Sequence, residues 1–175
     1  MTEIILVFIG ALSRLVPHPA NFTAIAAVAL FGAVKMKDKK QAILIPIAAM
    51  LLSDTVFELM YRGGVSPFPG FHSGMSYVYG AFLLISCIGF WIRRAFSIQR
   101  LALGTLIASL LFFFVTNFGV WLSGWYGYTI EGLSACYIAA IPFYRNQVIG
   151  DIFFTALLFG VEYFVRAKVS AQKAA

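Results

Sequence analysis

Six apolar stretches follow one another along the chain, separated by breaks that carry proline, glycine or clustered charge. The stretches are continuous and not alternating, which is typical of membrane helices and not of a transmembrane β-barrel. The last four approach the roughly 20 residues that a helix needs to span a bilayer. The first two are short, and we expect them to tilt or to be sheltered inside the bundle. The six predicted helices cover Ile4–Leu15, Phe22–Val34, Ala42–Met60, Met75–Ile92, Leu101–Ser123 and Val148–Val165.

A further apolar segment, Thr129–Asn146, lies between the fifth and sixth predicted helices. It is too short to cross a bilayer and return. We expect a short helix that lies on the outer face or dips into it. Pro142 is expected to end that helix, because proline cannot continue the backbone hydrogen-bond pattern.

Composition places the chain in one class. The sequence is 61% hydrophobic and 11% charged, whereas soluble domains are about 25% charged, and its mean hydropathy is +0.89. These values predict an all-α integral membrane protein, a bundle of six transmembrane helices. Its 175 residues leave room for a single transmembrane domain, residues 1–175. Because Glu3 stands where a signal peptide would be basic, we interpret the N-terminus as a retained helix.

The basic residues indicate an orientation. Of the 13 lysines and arginines, ten fall in three clusters, within Lys35–Lys40, Arg93–Arg100 and Arg166–Lys173. Under the positive-inside rule these clusters are cytoplasmic, and counting the crossings then puts both termini in the cytoplasm. Binding of nucleic acid is the weaker explanation of the positive charge, and we predict no nucleic-acid partner. The remaining three arginines lie outside: Arg14, Arg62 and Arg145.

Polar residues gather on the predicted outer side. Asp54 and Glu58 close the third apolar stretch and, being four residues apart, share one face of a helix. Acids at membrane depth are costly and usually face a bundle interior, a cavity or the interface. They either bind a cation or a substrate amine, or they lie at the wet interface with Arg14 or Arg62 as counter-ion.

Three other outer-side residues each have two explanations. Asp151 either caps the last helix or contacts a ligand, and Asn117, midway along the fifth helix, bonds either a ligand or another helix. Cys136 is either a soft ligand for a metal-containing substrate or a small buried hydrophobe. His72, like His18, lies in an outer loop, and two scattered histidines do not have the spacing of a metal site. We predict no resident metal or cofactor.

One pair of small residues bears on helix packing. Ala29 and Ala33 have the small-xxx-small spacing that lets membrane helices approach closely. They serve either internal packing or docking to another membrane subunit.

Cys87 and Cys136 fall toward opposite faces of the membrane in the predicted topology, so we expect no disulfide between them.

Four sequence blocks, spread over nearly the whole chain, resemble an uncharacterised bacterial family of membrane proteins described as transport proteins. The blocks are Arg14–Gly32, Leu51–Asp54, Val115–Ser123 and Ala135–Asn146. The resemblance implies a multi-pass protein of the bacterial cytoplasmic (inner) membrane. It brings no established chemistry with it.

The order of features in the first half resembles, more loosely, the S components of energy-coupling-factor vitamin transporters. A short helix is followed by the stiff loop Pro17–Pro19, a small-residue helix that ends at Gly32, and a helix that ends in Ser53-Asp54. S components have six helices, cytoplasmic termini and a vitamin pocket that opens outward. The resemblance implies an energising membrane subunit with ATPases as partner. It also suggests cobalamin as a ligand, with His72 or Cys136 contacting the cobalt.

The leading hypothesis is therefore a protein that binds and takes up a small nutrient through a pocket open to the outer face. The alternative is a non-transporting structural or assembly subunit of a larger membrane complex. No nucleotide-binding motif and no acid–base–nucleophile set is evident, so we predict that the chain is not an enzyme. The expected ligand-binding residues are Asp54, Glu58, His72, Asn117, Trp121, Trp125, Cys136, Tyr137, Arg145 and Asp151.

Overall fold

The computed structural model describes residues 1–174, and within that range every regular element is a helix. The prediction of an all-helical fold is thereby confirmed. A single turn of 3₁₀ helix, Ser13–Leu15, follows the first helix. The six α-helices are α1 (Thr2–Leu12), α2 (Ile25–Lys35), α3 (Lys39–Arg62), α4 (Met75–Arg94), α5 (Ile98–Leu122) and α6 (Ile130–Ala174).

Four of these helices, α3 to α6, are long and apolar enough to cross a membrane. The other two, α1 and α2, have 11 residues each. At 1.5 Å per residue each rises about 16 Å, roughly half the thickness of a bilayer's hydrocarbon core. The described chain therefore has the character of a membrane protein, with four helices of spanning length.

The segment Thr129–Asn146 does not form a separate short helix, and the prediction that Pro142 ends it was wrong. From Ile130 onward the segment is the first part of α6, a continuous helix of 45 residues with Pro142 inside it. Packing on α5 holds the chain on both sides of the proline. The Tyr137 hydroxyl donates to the Phe114 carbonyl at 2.8 Å, and Gln147 Nε2 donates to the Ser109 carbonyl at 2.6 Å.

Helix α2 is the centre of the bundle. Every residue from Ile25 to Val34 is buried, and α2 contacts each of the other five helices. Those five close a ring around it in the order α1, α3, α4, α5, α6, with α6 returning to α1. A helix that is apolar on all sides has no face to offer to water. Its sequence, Ile-Ala-Ala-Val-Ala-Leu-Phe-Gly-Ala-Val, therefore suits the central position.

Small residues set the distance between α2 and its neighbours. A Cβ atom on Gly89 of α4 would lie 2.5 Å from Ala33 Cβ, and one on Gly32 would lie 2.5 Å from Pro46 Cγ of α3. Ala29 and Ala33 are both fully buried inside the chain's own bundle. The structure thus gives both alanines to internal packing, and neither presents a surface to another subunit.

Ion pairs join the helices at the end of the bundle that carries Lys35, here called the Lys35 end. Lys35 Nζ lies 2.6 Å from Glu162 of α6, and Arg166 Nη2 lies 2.6 Å from Glu3 of α1. Arg93 of α4 donates to the Met36 carbonyl at 2.6 Å. These contacts tie the ends of α1, α2, α4 and α6 together.

The two cysteines are free, as predicted. Cys87 is exposed on the outside of α4, whereas Cys136 is buried between α6 and α5. Their different positions on the bundle keep the two thiols apart.

Two glycines of α4 provide a matched test of the close packing. Gly89→Ala should lower the free energy of unfolding by about 1–3 kcal/mol, because the new methyl group has no space beside Ala33. Gly80→Ala should be neutral or stabilising by roughly 0.5–1 kcal/mol, since no atom lies within 4 Å of its Cβ position. Unfolding in detergent, followed by circular dichroism, measures both. Equal stability of the two variants would contradict the packing around α2.

Candidate functional site

A cavity of about 400 Å³ lies at the end of the bundle opposite the Lys35 end, here called the Asp54 end. It is walled by helices α3 to α6 and by the loops that follow α1 and α3. Ile25, the first residue of α2, and Thr23, just before it, line the cavity as well. The other lining residues are Arg14, His18, Asn21, Asp54, Phe57, Pro69, Gly70, His72, Met75, Val78, Phe112, Thr116, Asn117, Val120 and Gln147.

The cavity follows from the length of α2. The central helix begins only at Ile25, whereas the ring helices α3, α4 and α5 have 20 to 25 residues. The ring therefore continues past the N-terminus of α2 and encloses a space that no central helix fills. Backbone that is not helical is tolerated at membrane depth when it is buried in protein or borders a wet cavity. The segment before α2 meets that condition, because Asn21 and Thr23 border this space.

Asp54 is buried in the wall of the cavity and is paired on both carboxylate oxygens. Oδ1 accepts from Arg14 Nη1 at 2.8 Å, and Oδ2 accepts from the Tyr79 hydroxyl at 2.6 Å. Arg14 also donates to the Ser53 hydroxyl at 2.7 Å, and its guanidinium carbon lies 5.4 Å from the centre of the Phe57 ring. Asp54 thus has Arg14 as its counter-ion, as one of its two explanations predicted, and it also lines the cavity. That it binds a cation or a substrate amine stays a prediction.

Glu58 lies outside the cavity and holds the loop that covers it. Its carboxylate pairs with Arg62 at 2.8 Å and accepts the backbone N–H of Phe71 at 3.3 Å. The adjacent Gly70 rests directly on α3, where any Cβ would overlap the Asp54 carbonyl oxygen. This loop, residues 63–74, can approach so closely only because position 70 is glycine.

Two amide side chains offer free acceptors to the cavity. Asn117 Nδ2 donates to the Phe113 carbonyl of its own helix at 2.8 Å. Gln147 Nε2 donates to the carbonyl and hydroxyl oxygens of Ser109, at 2.6 and 3.1 Å. Among residues 1–172, whose side chains the structure describes, no group donates to either side-chain oxygen. A ligand with N–H or O–H groups would find both acceptors unoccupied.

Of the ten predicted ligand-binding residues, Asp54, His72 and Asn117 line this cavity. Trp125 lines an adjoining space of about 330 Å³ that shares His72, Val78, Thr116 and Val120 with it. The other six, Glu58 among them, are not among its lining residues.

Four of those six lie on α6, and Trp121 lies in the last turn of α5. Cys136 is buried and donates its S–H to the Asn117 carbonyl, and the Tyr137 hydroxyl donates to the Phe114 carbonyl. Arg145 is exposed, and Asp151 is buried. Trp121 packs on Phe118 and Tyr128, away from the cavity. The first part of α6 lies along α5, and this packing takes Cys136 and Tyr137 away from the cavity.

Gln147 was not predicted from the sequence as a site residue, and Arg14 was predicted only as a counter-ion. Gln147 lies four residues before Asp151, the spacing of one helix face. Reading α6 as continuous through Pro142 would have put both residues on that face. Thr23 and Thr116 carry no signal that distinguishes them from other threonines in apolar helices.

The chain belongs to a family of unknown function (DUF6580), whose model matches residues 1–173. This confirms membership of an uncharacterised family, while nothing in the match links that family to the S components. No curated protein and no solved structure matches the chain.

The Arg14–Asp54 pair is open to a direct stability test. Arg14→Met should lower the free energy of unfolding by about 3–5 kcal/mol, because it leaves a buried carboxylate without its cation. Arg62→Met is the matched control, with an expected loss of about 0–1 kcal/mol, since the Arg62 side chain is 74% exposed. Unfolding in detergent measures both. Adding Asp54→Asn to Arg14→Met should restore part of the loss, and no restoration would argue against the pair.

Proposed function

We propose that this protein binds a small nutrient in the cavity at the Asp54 end and takes it up across the cytoplasmic membrane of a bacterium, in the manner of an S component. The observation that carries the proposal is the cavity itself. It brings charged and amide side chains to one end of a bundle whose centre is entirely apolar. Its volume of about 400 Å³ falls within the roughly 300–1,000 Å³ typical of small-molecule sites.

The lining favours a neutral ligand that carries hydrogen-bond donors. The charge of Arg14 is balanced by Asp54, so the wall presents no unpaired ion to a ligand. The free oxygens of Asn117 and Gln147 accept hydrogen bonds, while Phe57 and Phe112 supply apolar surface. We therefore favour a compact molecule with N–H or O–H groups on an apolar or aromatic frame.

Cobalamin fits this lining less well than a compact nutrient does. The cavity volume lies in the lower part of the range for small-molecule sites, and a corrinoid is far larger than a drug-sized ligand. Cys136, one of the two candidate cobalt contacts, is buried against α5 and does not line the cavity. His72 does line it and is free to contact a smaller ligand.

The proposed topology places the Asp54 end outside, with six crossings and both termini in the cytoplasm. The ten basic residues of the three clusters support this orientation under the positive-inside rule. Uptake against a gradient then needs a source of energy, since the sequence contains no nucleotide-binding motif. An energising membrane subunit with ATPases is one source, and an ion gradient is another.

Ligand retention is the first test. Native mass spectrometry of the purified chain should detect a bound small molecule. Thr116→Trp should abolish its retention by filling the cavity, whereas Leu110→Trp, on the exposed side of the same helix, should retain it. Asn117→Ala should weaken binding about 3- to 10-fold, the effect of one neutral hydrogen bond. Equal retention by both tryptophan variants at equal stability would exclude the cavity as the binding site.

Topology is tested by labelling single cysteines in intact cells, in a background that carries Cys87→Ser and Cys136→Ser. A membrane-impermeant maleimide should react with Val65→Cys, whose site is 72% exposed in the loop after α3. It should react with Lys37→Cys only after the cells are broken. The reverse pattern would invert the orientation and put the cavity on the cytoplasmic side.

A further inference from the structure

Three acidic side chains are buried in the bundle, and one of them differs from the others. Asp54 pairs with Arg14 at 2.8 Å, and Glu162 pairs with Lys35 at 2.6 Å. Asp151 of α6 is 3% exposed, yet among the described side chains, those of residues 1–172, no cation forms a salt bridge with it. Its Oδ2 oxygen has no hydrogen-bond partner. A buried carboxylate with neither a cation nor a full set of donors is a costly arrangement.

The charged groups on the elements packed against α6 are engaged elsewhere. Arg100 of α5 lies over the Trp91 ring, and Lys35 of α2 pairs with Glu162. The loop before α2 carries His18, whose ring nitrogens contact the Pro19 and Arg14 carbonyls. The other charged residues of α1 and α6 with described side chains are Glu3, Glu131, Arg145, Glu162, Arg166 and Lys168, and Arg14 lies in the 3₁₀ turn after α1.

The immediate surroundings of Asp151 are polar but neutral. The side chains of Ser109 and Gln147 lie beside its carboxyl group, and Thr155, one turn further along α6, faces Thr105 at 3.5 Å. Such groups can share hydrogen bonds with a neutral carboxylic acid, but they cannot balance a charge. A proton on Asp151 removes that charge and with it most of the cost of burial.

We propose that Asp151 is a proton-binding site at membrane depth, linked to the cavity through Gln147. Gln147 lies one turn before Asp151, is 5% exposed and reaches both the cavity and Ser109. A change at Asp151 therefore reaches the cavity wall through a single side chain. If the proposed uptake holds, on which this coupling role rests, a proton moving inward through Asp151 is the ion that energises it.

The N-terminus of α2 offers an alternative explanation of the buried Asp151, in which the carboxylate stays ionised. A Cβ on Gly150 would lie 3.1 Å from the Thr23 nitrogen, so the chain beside Asp151 runs close to the start of that helix. The positive end of a helix dipole stabilises an ionised carboxylate. In that case Asp151 would stay charged and would bind no proton at neutral pH.

Infrared spectroscopy of the full chain in detergent separates the two cases. At neutral pH we expect the C=O stretching band of a protonated carboxyl group, amounting to one acid per chain. Asp151→Asn should remove it. Asp54→Asn is the matched control and should leave it unchanged, because Asp54, unlike Asp151, has a cation beside it, Arg14 at 2.8 Å. Identical bands in the wild-type protein and Asp151→Asn would overturn the proposal. Loss of the band on adding sodium chloride at constant pH would also overturn it, because Asp151 would then bind sodium in place of a proton.

Two further measurements keep the result decisive. If Asp151→Asn does not fold, Asp151→Glu keeps an acid at the position and should shift the band, and an unshifted band would exclude Asp151. Ligand retention measured at neutral and alkaline pH should change with pH in the wild-type protein and not in Asp151→Asn. A band without any retained ligand would support the proton site and count against the proposed uptake. A retained ligand without the band would support the proposed uptake and count against the proton site.

Discussion

The close approach of five helices to α2 is the constraint on which the rest of this structure depends. A central helix without a polar face has to be enclosed on every side, and the enclosure is tight only where glycine or alanine meets it, as at Gly89 and Ala33. Because α2 is short, its neighbours extend beyond it and surround a space. The packing of the core and the existence of the cavity thus have one cause.

Burial of charge follows a consistent pattern at the two ends of the bundle. At the Lys35 end, ion pairs join helices that are far apart in sequence, such as Lys35 with Glu162 and Glu3 with Arg166. At the Asp54 end, the Arg14–Asp54 pair joins α3 to the turn after α1 in the same way. Each of these acids has a cation from another element. Asp151 stands outside this pattern, and this difference is the reason for proposing it as a proton-binding site.

Much of the fold could be predicted from the sequence, because charge and turn residues mark the ends of the first five helices. Asp38 and Ser97, which cap α3 and α5, lie in such breaks. The segment Thr129–Asn146 was assigned wrongly because local sequence does not show tertiary contacts. Contacts with α5 keep the helix continuous through Pro142. The site was predicted only in part for the same reason. Asp54 and Asn117 are polar residues in apolar helices and stand out, whereas the role of Gln147 depends on the continuity of α6.

The length of α6 has a mechanical consequence. Its 45 residues correspond to about 67 Å, more than twice the roughly 30 Å of a bilayer's hydrocarbon core. The stretch from Gln147 to Glu162 is uninterrupted helix without proline, and it joins the ion pairs of Glu162 to the cavity wall at Gln147. A tilt of this stretch would therefore displace Gln147 and Glu162 together.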